Sequence, residues 1–593
     1  MDQQGLCIIP RSPSKDIQNI HCGVYGYNWQ LKSSYDCIPV IFMNPFFIVY
    51  YPIRVAFMQK SVFLIALCLL LIWGCRESGS KSGDNRKKDS ISKVVQDAAR
   101  DIAGNFSEQS SMRFSANRLD SFFARYDSLR SFQKDISTFY TGRNYSFAWF
   151  TDSGLTEQAS HLYVRLENLP EEGLSVALPY KRTLDTLINA GNNQTLEQKS
   201  ETELLLTGLY FFFAQKVWGG LEESTTQKVD WLMPRKKLSY SAFLDSVLKQ
   251  GNTGTVKEPV YRQYNLLKEY LKKYKALPAD NITISLPGNK SIRPGDNSPE
   301  IIKLRKKLFL LGDLTNAGDT ASTTYDSTLL KAVKRFQRRH GMTQDGIAGG
   351  GMVRELNIPV PQLIEKIMVN MERNRWLPTD VRGRYLAVNI PEFVLHAYYD
   401  DSLLWNMNVV VGKDVNKTVI FAGTISQVVF SPYWNVPPSI LKKEILPGIQ
   451  KNPNYLEKNH MEWNGPDVRQ KPGPWNSLGQ VKFLFPNSHS IYLHDTPSKS
   501  LFQESKRAFS HGCIRVADPK FLATYMLRDD STWTTDRISK AMASGKEQFV
   551  AVKNPMPVYI TYFTSWVDRQ GDLNFREDIY KRDAQLSDLL MKR

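Results

Sequence analysis

The sequence predicts a multidomain protein in which α-helical domains precede a mainly β domain at the C-terminal end. The first observation is length, because 593 residues exceed what one hydrophobic core supports and indicate roughly three or four domains. The second is a helical period of hydrophobic residues that continues to about residue 358. The third is the change at Arg384 to the alternation that is typical of β-strands.

The N-terminal 75 residues differ from the rest of the chain, because they contain five of its six cysteines. A charged segment at Met58, an apolar run over Val62–Trp73 and Gly74-Cys75 follow the order of an exported protein's leader. We therefore interpret residues 58–75 as a lipoprotein-type signal peptide that is lipidated at Cys75. An uncleaved signal anchor is the alternative, although the apolar run is short for a membrane span.

The segments on either side of this leader are interpreted from it. A signal peptide should begin a protein, so we interpret residues 1–57 as a mis-called extension, with translation starting at Met58. Residues 76–93 are rich in Ser, Gly, Lys and Asp without apolar periodicity, which predicts a flexible tether. The remainder is then expected in the cell envelope, as a periplasmic, membrane-anchored lipoprotein.

The chain is basic, with a formal net charge of +17, and such a surface suits a polyanion. Nucleic acid is not predicted as a partner, because the sequence contains no zinc-finger spacing, no phosphate-binding Gly-Lys-Ser/Thr loop and no basic recognition helix. An anionic cell-wall polymer or a membrane surface fits the charge as well.

Residues 94–290 have the pattern of a helical domain. The run Leu204–Trp218 is apolar enough for a buried central helix, and the region holds no cluster of nucleophiles or potential metal ligands. One helical face is formed by Leu119, Phe122, Phe123, Tyr126 and Leu129. We predict a supporting role for this domain.

A compact helical unit occupies residues 293–358. Its Phe336-Gln337 helix, the loop with Asp345-Gly346 and the closing Leu356-Asn357 resemble the small three-helix peptidoglycan-binding domain. The alternative is a small helical bundle that binds no ligand and acts as a spacer, since a fold does not establish its function.

The C-terminal part has the sequence pattern of β-strands, which is interrupted once. Strands are expected over Tyr385–Ile390, Phe393–Tyr399, Leu403–Val411, Val428–Phe430, Lys482–Phe485, Ile491–His494, Phe549–Val552 and Val558–Val567. Between residues 437 and 479 prolines and glycines replace the alternation. A long irregular insertion just before an active-site strand is a candidate lid.

Cys513 is the candidate nucleophile. It has no disulfide partner after Cys75, and the neighbouring His511 and Arg515 favour a thiolate. His494, at the end of a predicted strand, is the candidate base. The amides of Gly512 and Cys513 could hold an oxyanion, and His511 and Arg515 would position or polarise the substrate.

Two alternatives to a catalytic thiol are a zinc site and a structural cysteine. A zinc site could use His489, His494, His511 and Cys513, but this spacing is not that of a structural zinc site. Cys513 could also be a buried structural thiol, a common state of a single cysteine, although its polar flanks argue against that state.

These residues carry a family resemblance. His494 and the run Ser510–Arg515 are similar to the signature of the L,D-transpeptidases with a YkuD-type catalytic domain. Segments similar to the large periplasmic branch of that family are Asn370–Pro378, Val388–Pro391, Ser431–Pro437 and Lys482–Asn487. The resemblance implies a helical scaffold domain at 94–290, a peptidoglycan-binding domain at 293–358, and a catalytic domain at 370–593. The catalytic domain would be a YkuD-type β-sandwich with a capping insertion at 437–479.

The resemblance also implies a reaction on peptidoglycan stem peptides. Cys513 would attack the carbonyl between the diamino acid and D-alanine of a donor tetrapeptide, D-alanine would leave, and a thioester would form. The side-chain amine of an acceptor stem would resolve the thioester as a crosslink between two third residues. The family uses no metal or organic cofactor and is acylated by carbapenems.

The implied site residues have separate roles. His494 would be the base, with His511, Gly512 and Arg515 around the carbonyl. Substrate-binding positions are expected at Ser510, Asp495, Tyr492, Tyr433 and Trp434, and the Asp495 backbone would orient the imidazole. Two other functions stay open: a cysteine L,D-carboxypeptidase or peptidoglycan hydrolase on the same fold, and a non-catalytic peptidoglycan-binding envelope lipoprotein.

Overall fold

The computed structural model describes residues 28–31, 37–40, 110–250, 257–286, 288, 290–316 and 320–591. The chain divides into two compact units, residues 1–101 and residues 102–593. In the first unit, β1 (Asn28–Leu31) pairs antiparallel with β2 (Cys37–Val40). The predicted signal peptide, the lipidation site at Cys75 and the tether lie outside the described residues, as does most of the predicted extension.

The scaffold domain is helical, as predicted. Its helices span Asn117–Arg125, Gln133–Gly142, Glu157–Glu167, Lys181–Ala190, Leu196–Phe213, Glu223–Gln227, Tyr240–Gln250 and Arg262–Lys275. Short strands are β3 (Phe150–Thr151), β4 (Gly154–Leu155) and β5 (Trp231–Leu232).

The helix Leu196–Phe213 is the centre of this domain, which confirms the prediction of a buried helix there. Thr195 and Gln198 form a capping box at its start, so the first free N–H groups of the helix are satisfied. Within the described residues, Leu196–Gln227 is the stretch that is long and apolar enough to cross a membrane, but 83% of its most apolar window is buried inside the protein. It is therefore a core helix.

The small domain that follows contains helices Pro299–Leu310, Ser327–Arg339 and Gly350–Leu356. We call Ser327–Arg339 the arginine helix, because Arg335, Arg338 and Arg339 lie in its last turns. The next helix, Val360–Trp376, packs Met371 against the helical core and Trp376 against the core of the β domain. The predicted start of the catalytic domain at residue 370 falls inside this continuous helix.

The C-terminal domain is mainly β, as predicted. Its strands are β6 (Arg384–Asn389), β7 (Val394–Tyr399), β8 (Ser402–Gly412), β9 (Ile420–Phe430), β10 (Trp434–Asn435), β11 (Met461–Asn464), β12 (Asp467–Gln470), β13 (Val481–Leu484), β14 (Leu493–His494), β15 (Ala508–Ser510), β16 (Ile514–Val516), β17 (Gln548–Thr561), β18 (Ser565–Val567) and β19 (Leu573–Phe575). The remaining helices of this domain are Pro438–Ile440, Leu446–Lys451, Tyr455–Lys458, Pro519–Leu527, Thr535–Ala543 and Arg582–Met591.

The strand pairings close into a ring in the order β6, β7, β8, β16, β14, β13, β9 and β17, and β17 pairs with β6 again. The ring encloses residues such as Val388, Val428 and Ile514, which have no solvent exposure. The prediction of two separate strands at 549–552 and 558–567 is wrong, because a single strand, β17, runs unbroken over Gln548–Thr561. Its register against β9 shifts between Ala551 and Met556, and this irregularity accommodates Pro555 without ending the strand.

The scaffold domain contributes one strand to this sheet, which the sequence did not predict. β5 pairs in parallel with the start of β9, where Trp231 aligns with Ile420. Trp231 packs edge to face on Trp376, with ring centroids 4.9 Å apart. The helical and β domains therefore share a sheet as well as a helix.

The insertion at 437–479 is not irregular, so that part of the prediction is wrong. It holds three short helices, and β11 and β12 extend a small sheet that begins at β10. Gly465, at φ 63°, turns the chain between β11 and β12 in a conformation that favours glycine. The side chains of Val436, Ile440, Leu441, Ile445, Met461 and Val468 form a separate small core.

Candidate active site

Four of the predicted site residues lie on one face of the sheet. β14 and β16 are parallel, with His494 opposite Arg515 and Leu493 opposite Ile514. Because side chains alternate along a strand, Leu493 and Ile514 point into the core, and the residues before and after them point outward. Tyr492, His494, Cys513 and Arg515 therefore share the outer face.

The turn that carries Cys513 is held by the Ser510 hydroxyl. Ser510 Oγ donates to the Cys513 carbonyl at 2.6 Å and accepts from the Gly512 N–H at 3.1 Å. Gly512 has φ 117°, a conformation that side chains disfavour, and its carbonyl accepts from Thr418 Oγ1 at 2.8 Å. Ser510, expected to bind substrate, is buried and shapes this turn.

The backbone amides of the turn are not equivalent. The Gly512 N–H is occupied by Ser510 Oγ, so it is not free to bind an oxyanion in this arrangement. Within the part of the chain that the structure describes, the Cys513 N–H donates to no acceptor. Of the two amides predicted as oxyanion donors, the structure leaves that of Cys513 available.

The Cys513 thiol lies between two residues of the preceding loop. Its Sγ is 3.5 Å from the carbonyl of Ser490, a residue held at φ 54°. Burial raises the pKa of the Cys513 thiol, while the backbone and hydroxyl of Tyr492 and the charge of Arg515 lower it in part. Burial likewise raises the pKa of Tyr492, with the nearby Cys513 adding to the effect, so its phenol stays protonated.

His494 is buried and neutral. Burial, then Arg515 and, more weakly, Lys482 lower the pKa of His494 to about 3, against backbone carbonyls at Asp495 and Leu478 that raise it. Its Nδ1 lies 2.5 Å from the Asp495 carbonyl oxygen. Because a carbonyl only accepts, Nδ1 carries the ring proton. No hydrogen bond joins the imidazole to Cys513 Sγ in the described chain.

Asp495 fixes the backbone that holds this histidine. Its carboxylate accepts from the Gln480 N–H at 2.8 Å and the Thr496 N–H at 2.6 Å, and it pairs with Lys499. A side chain at Gly479, which has φ 60°, would overlap the same carboxylate. The carboxylate is thus occupied by protein contacts, and Asp495 faces the imidazole through its backbone.

Two cations flank the imidazole. Arg515 has a buried Nε without a hydrogen-bond partner in the described residues, and burial lowers the pKa of its guanidinium. Lys482 on β13 lies opposite His494 in the sheet and pairs with Glu547 at 3.7 Å. Lys482 was not predicted as a site residue, because its strand pairing with His494 is not evident from sequence spacing.

The insertion meets the catalytic turn where Glu444 faces His511. His511 Nε2 lies 3.2 Å from the Glu444 carboxylate, and both side chains are about half exposed. Tyr433 and Trp434 stand where the insertion begins, and Arg469 of β12 stacks 4.1 Å from the Tyr433 ring centroid. His511 therefore meets the insertion at Glu444, while Tyr433 contacts Arg469 and Trp434 packs against the small core of the insertion.

The thiol pKa predicts how alkylation depends on pH. Because burial raises the pKa of Cys513, the rate of its reaction with iodoacetamide should still rise above pH 9, where a thiol of pKa about 8.5 nears its limit. Tyr492→Phe removes a donor that lowers this pKa, so the curve should move to higher pH. The rate is followed on the Cys513 peptide by mass spectrometry, with the exposed Tyr399→Phe as control; a plateau below pH 8 would contradict the expectation.

Gly412 predicts a second effect, on stability. A Cβ at Gly412 would overlap the Asn416 carbonyl and lie 3.0 Å from Thr418 N and 3.1 Å from Gly512 Cα. Since these are backbone atoms, Gly412→Ala should cost about 1–3 kcal/mol of unfolding free energy and displace the Cys513 turn. Urea denaturation measures the loss. Gly142→Ala, whose Cβ would meet nothing within 4 Å, should leave stability nearly unchanged.

Family models match three parts of the chain. Residues 383–558 match the model described as L,D-transpeptidase catalytic domain, named YkuD. Residues 134–271 match a scaffold domain, and residues 297–356 match the model named "Putative peptidoglycan binding domain". The chain therefore contains a catalytic domain of this family behind a helical region and a peptidoglycan-binding module.

One curated protein with a similar sequence is also named as an L,D-transpeptidase. A curated protein of Haemophilus influenzae named "Putative L,D-transpeptidase" is 32% identical over 246 residues, which cover 38% of this chain and 49% of that protein. The chain thus spans about half the length of this relative.

Two solved structures show low similarity to this chain. An L,D-transpeptidase of Stackebrandtia nassauensis is 14% identical, covering 47% of this chain and 97% of its own, with a TM-score of 0.20. One of Xylanimonas cellulosilytica is 14% identical, covering 47% and 100%, with a TM-score of 0.16. The assignment of the domains rests on the three family models.

Proposed function

We propose that the chain is a peptidoglycan L,D-transpeptidase, on the premise that residues 383–558 form an L,D-transpeptidase catalytic domain. The observation that carries the proposal is the shared outer face of Tyr492, His494, Cys513 and Arg515 beside a free Cys513 N–H. A nucleophile, a base and a donor for the developing oxyanion are the groups that acyl transfer requires.

The first step is attack by Cys513 on the carbonyl that joins the diamino acid to D-alanine. The half-buried thiol, with its raised pKa, is protonated, and His494 is neutral with Nδ1 carrying the proton, so Nε2 is the nitrogen that can take the thiol proton. The oxyanion of the tetrahedral intermediate is bound by the Cys513 N–H. The Tyr492 hydroxyl supports the developing thiolate.

The leaving step returns that proton. His494, then positively charged, donates to the amine of D-alanine, and the C–N bond breaks to leave a thioester on Cys513. Burial and the adjacent Arg515 disfavour the charged imidazole, so proton return is favourable. The amine of an acceptor stem attacks the thioester, gives a proton to His494, and restores the thiol.

Arg515 and the insertion at 437–479 would together select the substrate. Arg515 places a positive charge beside the thiol, which suits a carboxylate or carbonyl of the donor stem. The insertion at 437–479 meets the turn at Glu444 and His511, so it would cover the donor groove with Tyr433 and Trp434 at its base. Opening of this contact would admit the acceptor.

The proposal is tested with purified full-length protein and disaccharide tetrapeptides that contain a diamino acid at position three. Crosslinked dimers and one released D-alanine per dimer are expected, and mass spectrometry detects both. D-alanine release without dimers would instead assign a carboxypeptidase. Binding to peptidoglycan with neither product would leave the non-catalytic alternative.

Location and anchoring belong to the same proposal. A peptidoglycan-binding module and a transpeptidase domain place the working site in the cell envelope, and a lipid on Cys75 would anchor the chain to a membrane. Labelling cells with a radioactive fatty acid tests this. Label that persists on Cys75→Ser, or peptides recovered from residues 1–57, would contradict the respective interpretations.

A further inference from the structure

A cavity of about 820 Å³ lies between the scaffold domain and the catalytic sheet. Ligand sites usually span about 300–1,000 Å³ and often lie at domain interfaces. None of Tyr492, His494, His511, Cys513 and Arg515 lines it. The cavity is therefore separate from the site that the reaction uses.

The floor of the cavity is the outer face of β6, β7, β9 and β17. Alternate residues of these strands line it, namely Tyr385, Ala387, Asn389, His396, Tyr398, Tyr559 and Thr561. Their neighbours, such as Leu386 and Ile560, have no solvent exposure and belong to the core. Ala387 and Ala422 leave space that larger side chains would fill.

Aromatic rings dominate this floor. Tyr385 stacks on Tyr398 with centroids 5.1 Å apart and meets Tyr559 edge to face at 5.6 Å. Trp566 of β18 and Phe563 add two more rings at the wall. Such an array presents flat apolar faces and phenolic hydroxyls together.

Polar groups stand at one end of the floor. Glu392 Oε2 lies 3.0 Å from His396 Nε2 and 3.3 Å from Asn389 Nδ2. Glu392 Oε1 has no hydrogen-bond partner in the described residues. The cavity thus offers a fixed carboxylate acceptor beside its rings.

The outer wall is fixed before any ligand binds. The hairpin β18–β19 is tied to the scaffold domain where Gln263 exchanges hydrogen bonds with Val567, at 2.8 and 3.0 Å. The arginine helix holds the same hairpin through Arg335, paired with Asp572 at 2.6 Å, and Arg338, paired with Asp568 at 2.9 Å. Because the wall is held from both sides, little conformational entropy is lost in ordering it when a ligand binds.

We infer that this cavity binds sugar units of a glycan strand. A sugar ring has apolar C–H faces, which pack on aromatic rings, and hydroxyl groups, which donate to a carboxylate. An acyl chain is disfavoured, because it would desolvate Glu392 and Asn389 without replacing their hydrogen bonds with water. A peptide lacks the repeated flat faces that the stacked tyrosines match.

The inference rests on the proposed function only for the identity of the polymer, peptidoglycan. The arginine helix belongs to the module that matches a peptidoglycan-binding domain, and it forms the support of the cavity wall. Held in the cavity, the glycan strand would present its stem peptides to a catalytic domain anchored beside it.

The test measures binding of chitotetraose, an N-acetylated tetrasaccharide without peptide, to the full-length protein by isothermal titration calorimetry. Ala387→Phe, which fills the floor, should abolish the cavity component of the titration. Tyr398→Ala, which removes a stacking ring, should weaken it at least tenfold. The matched control is Tyr399→Ala, the same change one residue further along β7, where the ring is 48% exposed and outside the cavity.

The outcomes separate this inference from the catalytic one. Cys513→Ala should bind chitotetraose as the unchanged protein does, whether or not transpeptidation is observed. Binding that survives both cavity variants, with circular dichroism showing intact folds, would place the sugar elsewhere and overturn the inference. So would absence of binding to the unchanged protein, or binding of a free tetrapeptide in the cavity instead.

Discussion

Replacement of Cys513 by alanine is expected to lower the rate of dimer formation and of D-alanine release by at least about 10⁴-fold. The proposed thioester cannot form without the sulfur, and the sequence from residue 76 onward holds no other cysteine to replace it. The fold should be unaffected, because the thiol interacts with Ser490 and Tyr492 of one loop, and the Ser510 hydroxyl holds the Cys513 turn through backbone atoms. Mass spectrometry of the products against time gives the rates.

Two companion measurements make this result specific. Cys513→Ser replaces the thiol with a hydroxyl of similar size. Because a hydroxyl is a weaker nucleophile near neutral pH, the rate of this variant should also fall by several orders of magnitude. Urea denaturation should give the same midpoint for both variants as for the unchanged protein. Dimers that persist at more than a hundredth of the original rate in Cys513→Ala would refute the mechanism.

His494→Asn is expected to reduce the same rates by about 10²–10⁴-fold, the usual contribution of a general base. Asparagine can still donate to the Asp495 carbonyl from near the Nδ1 position, so the local backbone should be kept while the proton acceptor is lost. Binding of a donor tetrapeptide should change little. Loss of a base should lower kcat and leave KM nearly unchanged, whereas loss of a residue that only shapes the groove should raise KM.

The pH profile provides a further check on His494. With a pKa of about 3, the imidazole is neutral from pH 5 upward, so its protonation cannot produce an acid limb near pH 6.5. Between about pH 5 and the raised pKa of the thiol, the rate of the unchanged protein should stay level, because the thiol is protonated and His494 is neutral throughout this range. An acid limb centred between pH 6 and 7 that disappears in His494→Asn would show that the imidazole is charged in the free enzyme, contrary to this assignment.

Local sequence patterns predicted much of the fold. The apolar run after Leu204 identified a helix whose residues from Leu204 to Phe213 are all buried. The strands around His494 were found from their alternation. In each case the deciding contacts lie within one element, so the sequence of that element is sufficient.

Features that depend on distant contacts were missed. Nothing in Trp231-Leu232 indicates that it pairs with β9, because that pairing depends on how two domains meet. The prolines and glycines between 437 and 479 suggested an irregular lid, but six apolar residues there meet in a core that only the folded arrangement brings together.

The site shows the same limit. Cys513 and His494 were identified as candidates from a signature, whereas the place of Lys482 follows from strand register and the loss of the Gly512 amide from the Ser510 rotamer. The Ser490 carbonyl against the thiol depends on a backbone conformation, φ 54°, that the residue type does not reveal. Spacing along the chain identifies reactive residue types, while their protonation and free donors require coordinates.

The pairing of β5 with β9 has a consequence for how this protein can be divided. A chain that starts at residue 383 would keep every candidate catalytic residue but lose Trp231 and Trp376, and the first residues of β9 would become an open sheet edge. Unpaired edges recruit other strands, so the shortened chain should self-associate. The scaffold and catalytic domains should therefore be produced together. A catalytic domain that is expressed alone would need the β5 segment supplied as a separate chain.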